Sequence, residues 1–309
     1  MRRPCGDAPS TLVNVAPRDS DEEKRSRLRL GGLAPLGLMT PALLILLALF
    51  IAPVGRAVGL SLHEEAGSSG PQWYREFFSS PSYLTDLWFT MWTSALAVAG
   101  CVVLALPVAL TLRAGGRFSA LLYVTVLVPL LVPHLIAAYA LRLAFSSSGP
   151  LFALLVDHLQ VLPAAPKLVN EASGLVLSLI WKFFPVMTLT LLSGLESLPD
   201  SLHEAARDLG AGWWRRLREV TIPLLTPALL AGGILVFVLA ASQFSMTLVI
   251  YGGAKVTTIP LDIYFLTFGQ NQQPYGSALG IIFTAVTLGL LAVVTIIVRR
   301  TTRAMLGSA

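Results

Sequence analysis

Of the chain's 309 residues, 55% are hydrophobic and 13% are charged, and the formal net charge is +5. An ordinary soluble domain carries about 25% charged residues, and here the apolar residues are gathered into long blocks. The composition excludes an ordinary soluble domain and reads as an integral membrane protein.

Residues 1–29 are polar and rich in Ser, Pro and charge, with DSDEEKRSR the densest run. They read as a disordered tail. A membrane-spanning helix needs about 20 apolar residues, and six candidates follow. Leu30 to Gly55, within a first span bounded at 30–60, is uncharged, as are Leu87 to Leu112 and Phe118 to Leu141. The first run is too long for the core of a cleaved signal peptide and reads as a retained span. The fourth, Gly174 to Leu195, is interrupted by Lys182 alone. The fifth lies in the uncharged run from Val220 to Ala254 and is expected to start near Thr226, because Pro223 and Pro227 disfavour a continuous helix. The sixth runs from Ser277 to Val298. These lengths favour the membrane over a buried soluble helix.

Short loops rich in Lys and Arg stay on the cytoplasmic side. With the N-terminus inside, the inner segments carry sixteen such residues and the outer ones only Arg56, Arg75, Lys167 and Lys255. Both termini, including the tail at 301–309, are therefore expected in the cytoplasm. The basic balance reports topology and gives a nucleic-acid partner no support. Cys5 lies in the tail and Cys101 in a span, so no disulfide framework is expected. The outer connections are long; LFALLVDHL, in the second, is too short to span and reads as an interfacial helix.

Between the fourth and fifth spans lies the one charge-dense amphipathic stretch, LHEAARDLGAGWWRRLREVTIPLL, Leu202 to Leu225. Ser201 with Glu204 three residues on reads as a capping box. Leu202, Ala205, Ala206 and Leu209 fall on one helical face, with Glu204, Arg207 and Asp208 on the rest. Gly210 is a natural stop, since glycine takes the left-handed conformation at little cost. A second amphipathic segment, WWRRLREV, is expected to end at Pro223. So short a helix is not stable alone in water. It is either a linker on the headgroups or a helix that docks in a polar-rimmed groove.

EAARDLG followed thirteen residues after its glycine by Pro223 resembles the EAA loop of ABC importer permeases, with Glu204, Ala205, Ala206 and Gly210 matching. The end departs slightly, having Thr221 and Ile222 where that family usually has Leu-Pro. GLESLPDSLHEAARDLGA before the loop and PLLTPALLAGGILVFVLAASQF after it extend the resemblance over roughly Thr90 to Arg300. The resemblance implies an all-α membrane protein of six transmembrane helices, of the type I ABC importer kind, with a five-helix core at 87–300 and a coupling loop at 196–223. It implies that the loop docks on a separate cytoplasmic ATPase, with Glu204, Ala205, Ala206, Arg207, Asp208, Gly210 and Pro223 as the coupling residues. It further implies a second permease subunit, homologous or a copy of this one, and an extracytoplasmic solute-binding protein. No cofactor is expected on the chain itself, which has no Gly-x-x-x-x-Gly-Lys-Ser/Thr loop, so ATP would be bound by the partner subunits.

An ion-coupled secondary transporter is the rival class, but it needs ionisable groups within the membrane. No Asp or Glu falls inside the six expected spans. A membrane enzyme lacks a metal-ligand cluster or a nucleophile with a base. Lys182 faces a solute pathway or is a snorkelling or interhelical cation beside Trp181 and Phe183. Trp181, Gln243 and Tyr139 are the other pathway candidates, Gln243 being equally able to bond a neighbouring helix. Arg142 reads as an interfacial anchor, His134 as a packed mid-span histidine, and GSALG at 276–280 as a packing pattern. The solute is expected to be small and polar: QFSMTLVIYGGAKVTTIPLDIY looks like the polyamine, iron and phosphonate permeases, while GLESLPDSLHEAA is also similar to sugar permeases.

Overall fold

The computed structural model describes residues 34–62, 71–161, 163–252 and 256–306. The expected tail at 1–29, Leu30 to Leu33 of the first span and the last three residues lie outside them. The chain divides into two compact units, residues 1–56 and 57–309.

The first unit is helical from Ala34, where α1 (Ala34–Ser61) begins. From Leu43 it is long and apolar enough to cross a membrane. The second unit opens with α2 (Gln72–Ser79) and the 34-residue α3 (Pro81–Ala114). Then come α4 (Ser119–Leu131) and α5 (His134–Phe145). A short α6 (Pro150–Phe152) continues as a π-helix over Ala153–His158, where LFALLVDHL was expected to be helical. The remaining α-helices are α7 (Ala172–Glu196), α8 (Asp200–Asp208), α9 (Trp213–Arg216), α10 (Ile222–Ala241), α11 (Ile259–Tyr264) and α12 (Gln273–Leu306), with π-helical turns at Leu217–Thr221, Thr247–Tyr251 and Phe265–Gly269. Among the described residues five helices are long and apolar enough to span, or six with the bent pair α4–α5 counted as one broken span.

In lipid the hydrophobic effect does not drive helices together, so close backbone approach through small residues does. Ala97, Cys101, Ala105 and Ala109 place a small-residue stripe on α3, fully buried with Leu175, Leu179, Phe183, Met187, Leu191 and Leu195 of α7. Both rows step by four, so each lies along one inclined ridge of its helix. Against α10, a Cβ added at Gly194 would stand 2.5 Å from that of Ala228, and one at Gly232 would stand 2.8 Å from Met187 Sδ. Helices α3, α7 and α10 are thus held at glycine and alanine distances. A second apolar cluster gathers Trp73 and Phe77 of α2 with Ile259, Leu266, Tyr275, Ala278 and Leu279. The Trp73 and Tyr275 rings stack at 5.1 Å. Within GSALG, Ala278 and Leu279 are fully buried and a Cβ at Gly276 would collide with Thr267, which fits the packing expected there.

Three expectations need correction. The third span is not one straight helix from Phe118 to Leu141: it turns by 103° between Leu131 and His134 and ends at Phe145. Pro133 has no amide hydrogen and pushes Val132 into extended backbone, at φ −77° and ψ 125°. The fifth span does not begin near Thr226, and WWRRLREV does not end at Pro223. One helix runs from Trp213 to Ala241, with a π-helical turn over Leu217–Thr221 before Pro223. Pro223 follows that π turn, a local break in the i→i−4 ladder at which a missing amide hydrogen costs little. Ser201 does not cap α8, because the helix starts two residues earlier than that cap requires, with Pro199 in the cap position, and shows no side-chain cap.

Candidate functional site

Helix α8 joins the ends of α7 and α9 by short turns. Pro199, in extended backbone at φ −62° and ψ 135°, precedes it, and Asp200 supplies a carboxylate to its first turn, where negative charge is favourable. Arg113, at the end of α3, donates to the Leu198 carbonyl at 3.0 Å and to Asp200 Oδ1 at 2.8 Å. At the other end the Ala211 amide donates to the Ala206 carbonyl and the Gly210 amide to that of Arg207. This reciprocal pair is a Schellman motif, and it requires the left-handed φ of +77° at Gly210. Gly210 is the stop that its place in the sequence implies.

Within the second unit α8 is bare. Glu204, Ala205, Arg207 and Asp208 are exposed and Ala206 half-buried, while Leu202 and Leu209 of the apolar face are 41% and 88% exposed. The Trp213 and Trp214 rings meet edge to face at 4.5 Å. With Leu217 they face Leu106, Pro107 and Leu110 of α3 across an open apolar groove of about 470 Å³. Arg215 and Glu219 pair at 2.9 Å but are both well exposed, so the pair adds little. Helix α9 runs through its π turn into α10, and the turn at Gly210 links α8 to α9.

The pathway candidates lie on α5, α7 and the turn after α10. Lys182 of α7 is only 2% exposed, and its Nζ donates at 2.6 Å to each of the Pro129 and Val132 carbonyls. It therefore does not snorkel, and its neighbour Trp181 is half-buried. Tyr139 of α5 is 59% exposed. Gln243 is half-buried in the turn after α10. His134 is exposed at the start of α5, not packed in mid-span, with its ring centroid 6.3 Å from that of Phe183. Arg142 donates to the Val249 carbonyl in the π-helix Thr247–Tyr251, so this expected interfacial anchor is tied to protein main chain.

A polar cluster that the sequence did not single out joins the start of α3 to α11. Asp86 Oδ1 accepts the Thr257 amide at 2.8 Å, and Thr90 Oγ1 accepts that of Ile259 at 3.0 Å. Thr257 donates its hydroxyl to Asp262 Oδ1, while Asp262 Oδ2 is buried without a partner. Burial pushes the Asp262 carboxyl up to about 7; the Thr257 hydrogen bond opposes this and the Asp86 charge reinforces it. Asp86 escaped notice because it stands one residue outside the apolar run starting at Leu87. Among the described residues no three His, Cys, Asp or Glu side chains form a metal-binding group.

The sequence pattern of the family described as binding-protein-dependent transport system inner membrane component matches residues 101–303. The chain is 30% identical over 209 residues to the spermidine/putrescine transport system permease protein PotB of Haemophilus influenzae, covering 67% of this chain and 72% of that one. It is 30% identical over 258 residues to the trehalose/maltose transport system permease protein MalF of Thermococcus litoralis, covering 79% and 86%. Among solved structures, a chain of the bacterial alginate ABC transporter in complex with alginate pentasaccharide-bound periplasmic protein superposes with a TM-score of 0.66 at 18% identity. That match covers 93% of this chain and 99% of the other.

Proposed function

Because the chain belongs to the family of binding-protein-dependent transport system inner membrane components, the permease subunits of ABC importers, we propose that α8 is the contact through which a separate ATPase drives it. The subunit is a multi-pass protein of the inner membrane. The observation that carries the proposal is a short helix stopped by Gly210, tied to α3 through Arg113, and bare along its Leu202–Leu209 face. Isolated, nine residues of helix are unstable in water, and a docked partner supplies the missing burial. Glu204, Arg207 and Asp208 are the charged rim, Ala205 and Ala206 the close-approach face, and Gly210 and Pro223 set where helix ends and span begins. Closure of two ATPase subunits on ATP then moves α8 and, through α9 and its π turn, α10, shifting the permease between inward-open and outward-open states.

In this reading both termini and α8 lie in the cytoplasm. A second permease subunit, homologous or identical, completes the pathway, and an extracytoplasmic solute-binding protein delivers a small polar solute to the outer connections. The relatives named for spermidine/putrescine and for trehalose/maltose support a polyamine-like or sugar solute. Tyr139, exposed in the middle of α5, and Gln243, half-buried in the turn after α10, are the proposed solute contacts together with Trp181.

Purification of the tagged protein from its native membrane in mild detergent tests the reading. An ATPase is expected to co-purify and to be lost on Glu204→Lys, with the variant still in the membrane and uptake abolished. Normal uptake by Glu204→Lys at normal expression would overturn the coupling role.

A further inference from the structure

The third span is broken by a proline, and a lysine from another helix occupies the break. Pro133 has no amide hydrogen, so the Pro129 carbonyl four residues earlier loses the donor that a continuous helix would give it. Val132 is extended between α4 and α5, and its carbonyl belongs to neither helical ladder. In a bilayer core such groups must be satisfied by protein, since no water reaches them. Lys182 Nζ lies 2.6 Å from both oxygens. The ammonium also stands at the C-terminal, negative end of α4's dipole. Among the described residues no carboxylate forms an ion pair with Lys182.

A buried cation is costly, and a methionine would fill the same space at lower cost if packing were all that the site required. Two features show what the bend positions. Lys182 stands on α7, the most buried of the spanning helices, between buried Leu179 and Phe183. Beyond the bend, α5 carries Arg142 to the Val249 carbonyl in the π-helix that follows α10. The direction of α5 thus decides whether its outer end meets the segment leading from α10 to α11.

We propose that Lys182 is a positioning residue whose ammonium replaces the donor missing at Pro133, holds the third span bent, and so keeps α5 and Arg142 against the Val249 carbonyl. The proposal assigns Lys182 to the shape of the permease and not to contact with the solute.

Spin labels at Leu121 on α4 and Leu143 on α5, both more than 60% exposed, read the bend directly. They are introduced as L121C and L143C in full-length protein carrying C5S and C101A. At 1.5 Å per residue a straight helix would put the two positions about 33 Å apart, and the 103° bend holds them far closer. In the unaltered lysine background the short distance is expected. K182M is expected to shift or broaden the distribution towards the long value and to lower uptake by about tenfold or more, the scale of losing a charge-assisted hydrogen bond pair. K182M/P133A, which returns an amide hydrogen to Pro129, is expected to recover membrane yield while showing the long distance and no recovery of uptake. It therefore decides the matter even if K182M alone fails to accumulate.

A short distance in K182M, or in K182M/P133A, overturns the proposal. Loss of uptake by K182M with the distance unchanged also overturns it, and returns Lys182 to the solute path. The distance measurement does not depend on transport, so an error in the permease reading shows instead as absent uptake in the unaltered protein.

Discussion

Arg113 closes the inner end of α3 onto the start of α8, through the Leu198 carbonyl at 3.0 Å and the Asp200 carboxylate at 2.8 Å. The two contacts are unequal. The Asp200 side chain is 87% exposed and that of Arg113 only 17%, so solvent screens the ion pair while the bond to main chain fixes where α8 leaves α7. Asp200→Asn is expected to leave uptake and thermal stability nearly unchanged. Arg113→Ala is expected to lower uptake several-fold while the protein still inserts, because it frees the start of α8. Initial uptake rates at matched membrane expression check both, and equal losses from the two substitutions would show that the ion pair, not the carbonyl, sets the position.

The crossing of α7 and α10 is expected to tolerate no added volume at Gly194. A Cβ there would meet Ala228 Cβ at 2.5 Å and Leu225 Cδ2 at 3.2 Å, and the Ala228 Cβ is fixed to its backbone and cannot turn aside. Gly194→Val should destabilise the detergent-solubilised protein by about 1–3 kcal/mol, the usual cost of overpacking. At Gly289, where nothing lies within 4 Å, Gly289→Ala should be harmless. Thermal unfolding followed by fluorescence-detected size exclusion compares them.

Asp262 makes stability depend on pH. Its folded carboxyl is raised from 3.8 to about 7 by burial, opposed by Thr257 and reinforced by Asp86. The folded protein therefore binds more protons than the unfolded chain between these values, and stability falls as pH rises through that window. The contribution is fully present below about 4 and lost above about 7. The melting temperature is expected to drop between pH 5 and pH 8, and Asp262→Asn should flatten that drop. An unchanged slope in the variant would place the dependence elsewhere.

The spans and the loop between the fourth and fifth were legible because each rests on local information. About 20 uncharged residues suffice for a span whatever surrounds them, and α7 falls within two residues of the expected Gly174 to Leu195. Gly210 announces a helix stop because its backbone freedom is a property of one residue. The capping box failed at Ser201 because Pro199 and Asp200 supply a competing start two residues earlier, and the helix break expected from Pro223 failed because a π turn absorbed it.

The sequence by itself determined a membrane protein with six apolar segments, the family's loop at Glu204 to Gly210, and the presence of a lone cation in the fourth span. Only the tertiary structure decided that Pro133 turns the third span by 103° and that Lys182, 50 residues on from Val132, answers the carbonyls so exposed. It likewise joined Asp86 to Thr257 across 171 positions. Hydropathy and helix stops are set by neighbouring residues, whereas the partner of a freed carbonyl or a buried carboxylate is set by which helices pack together.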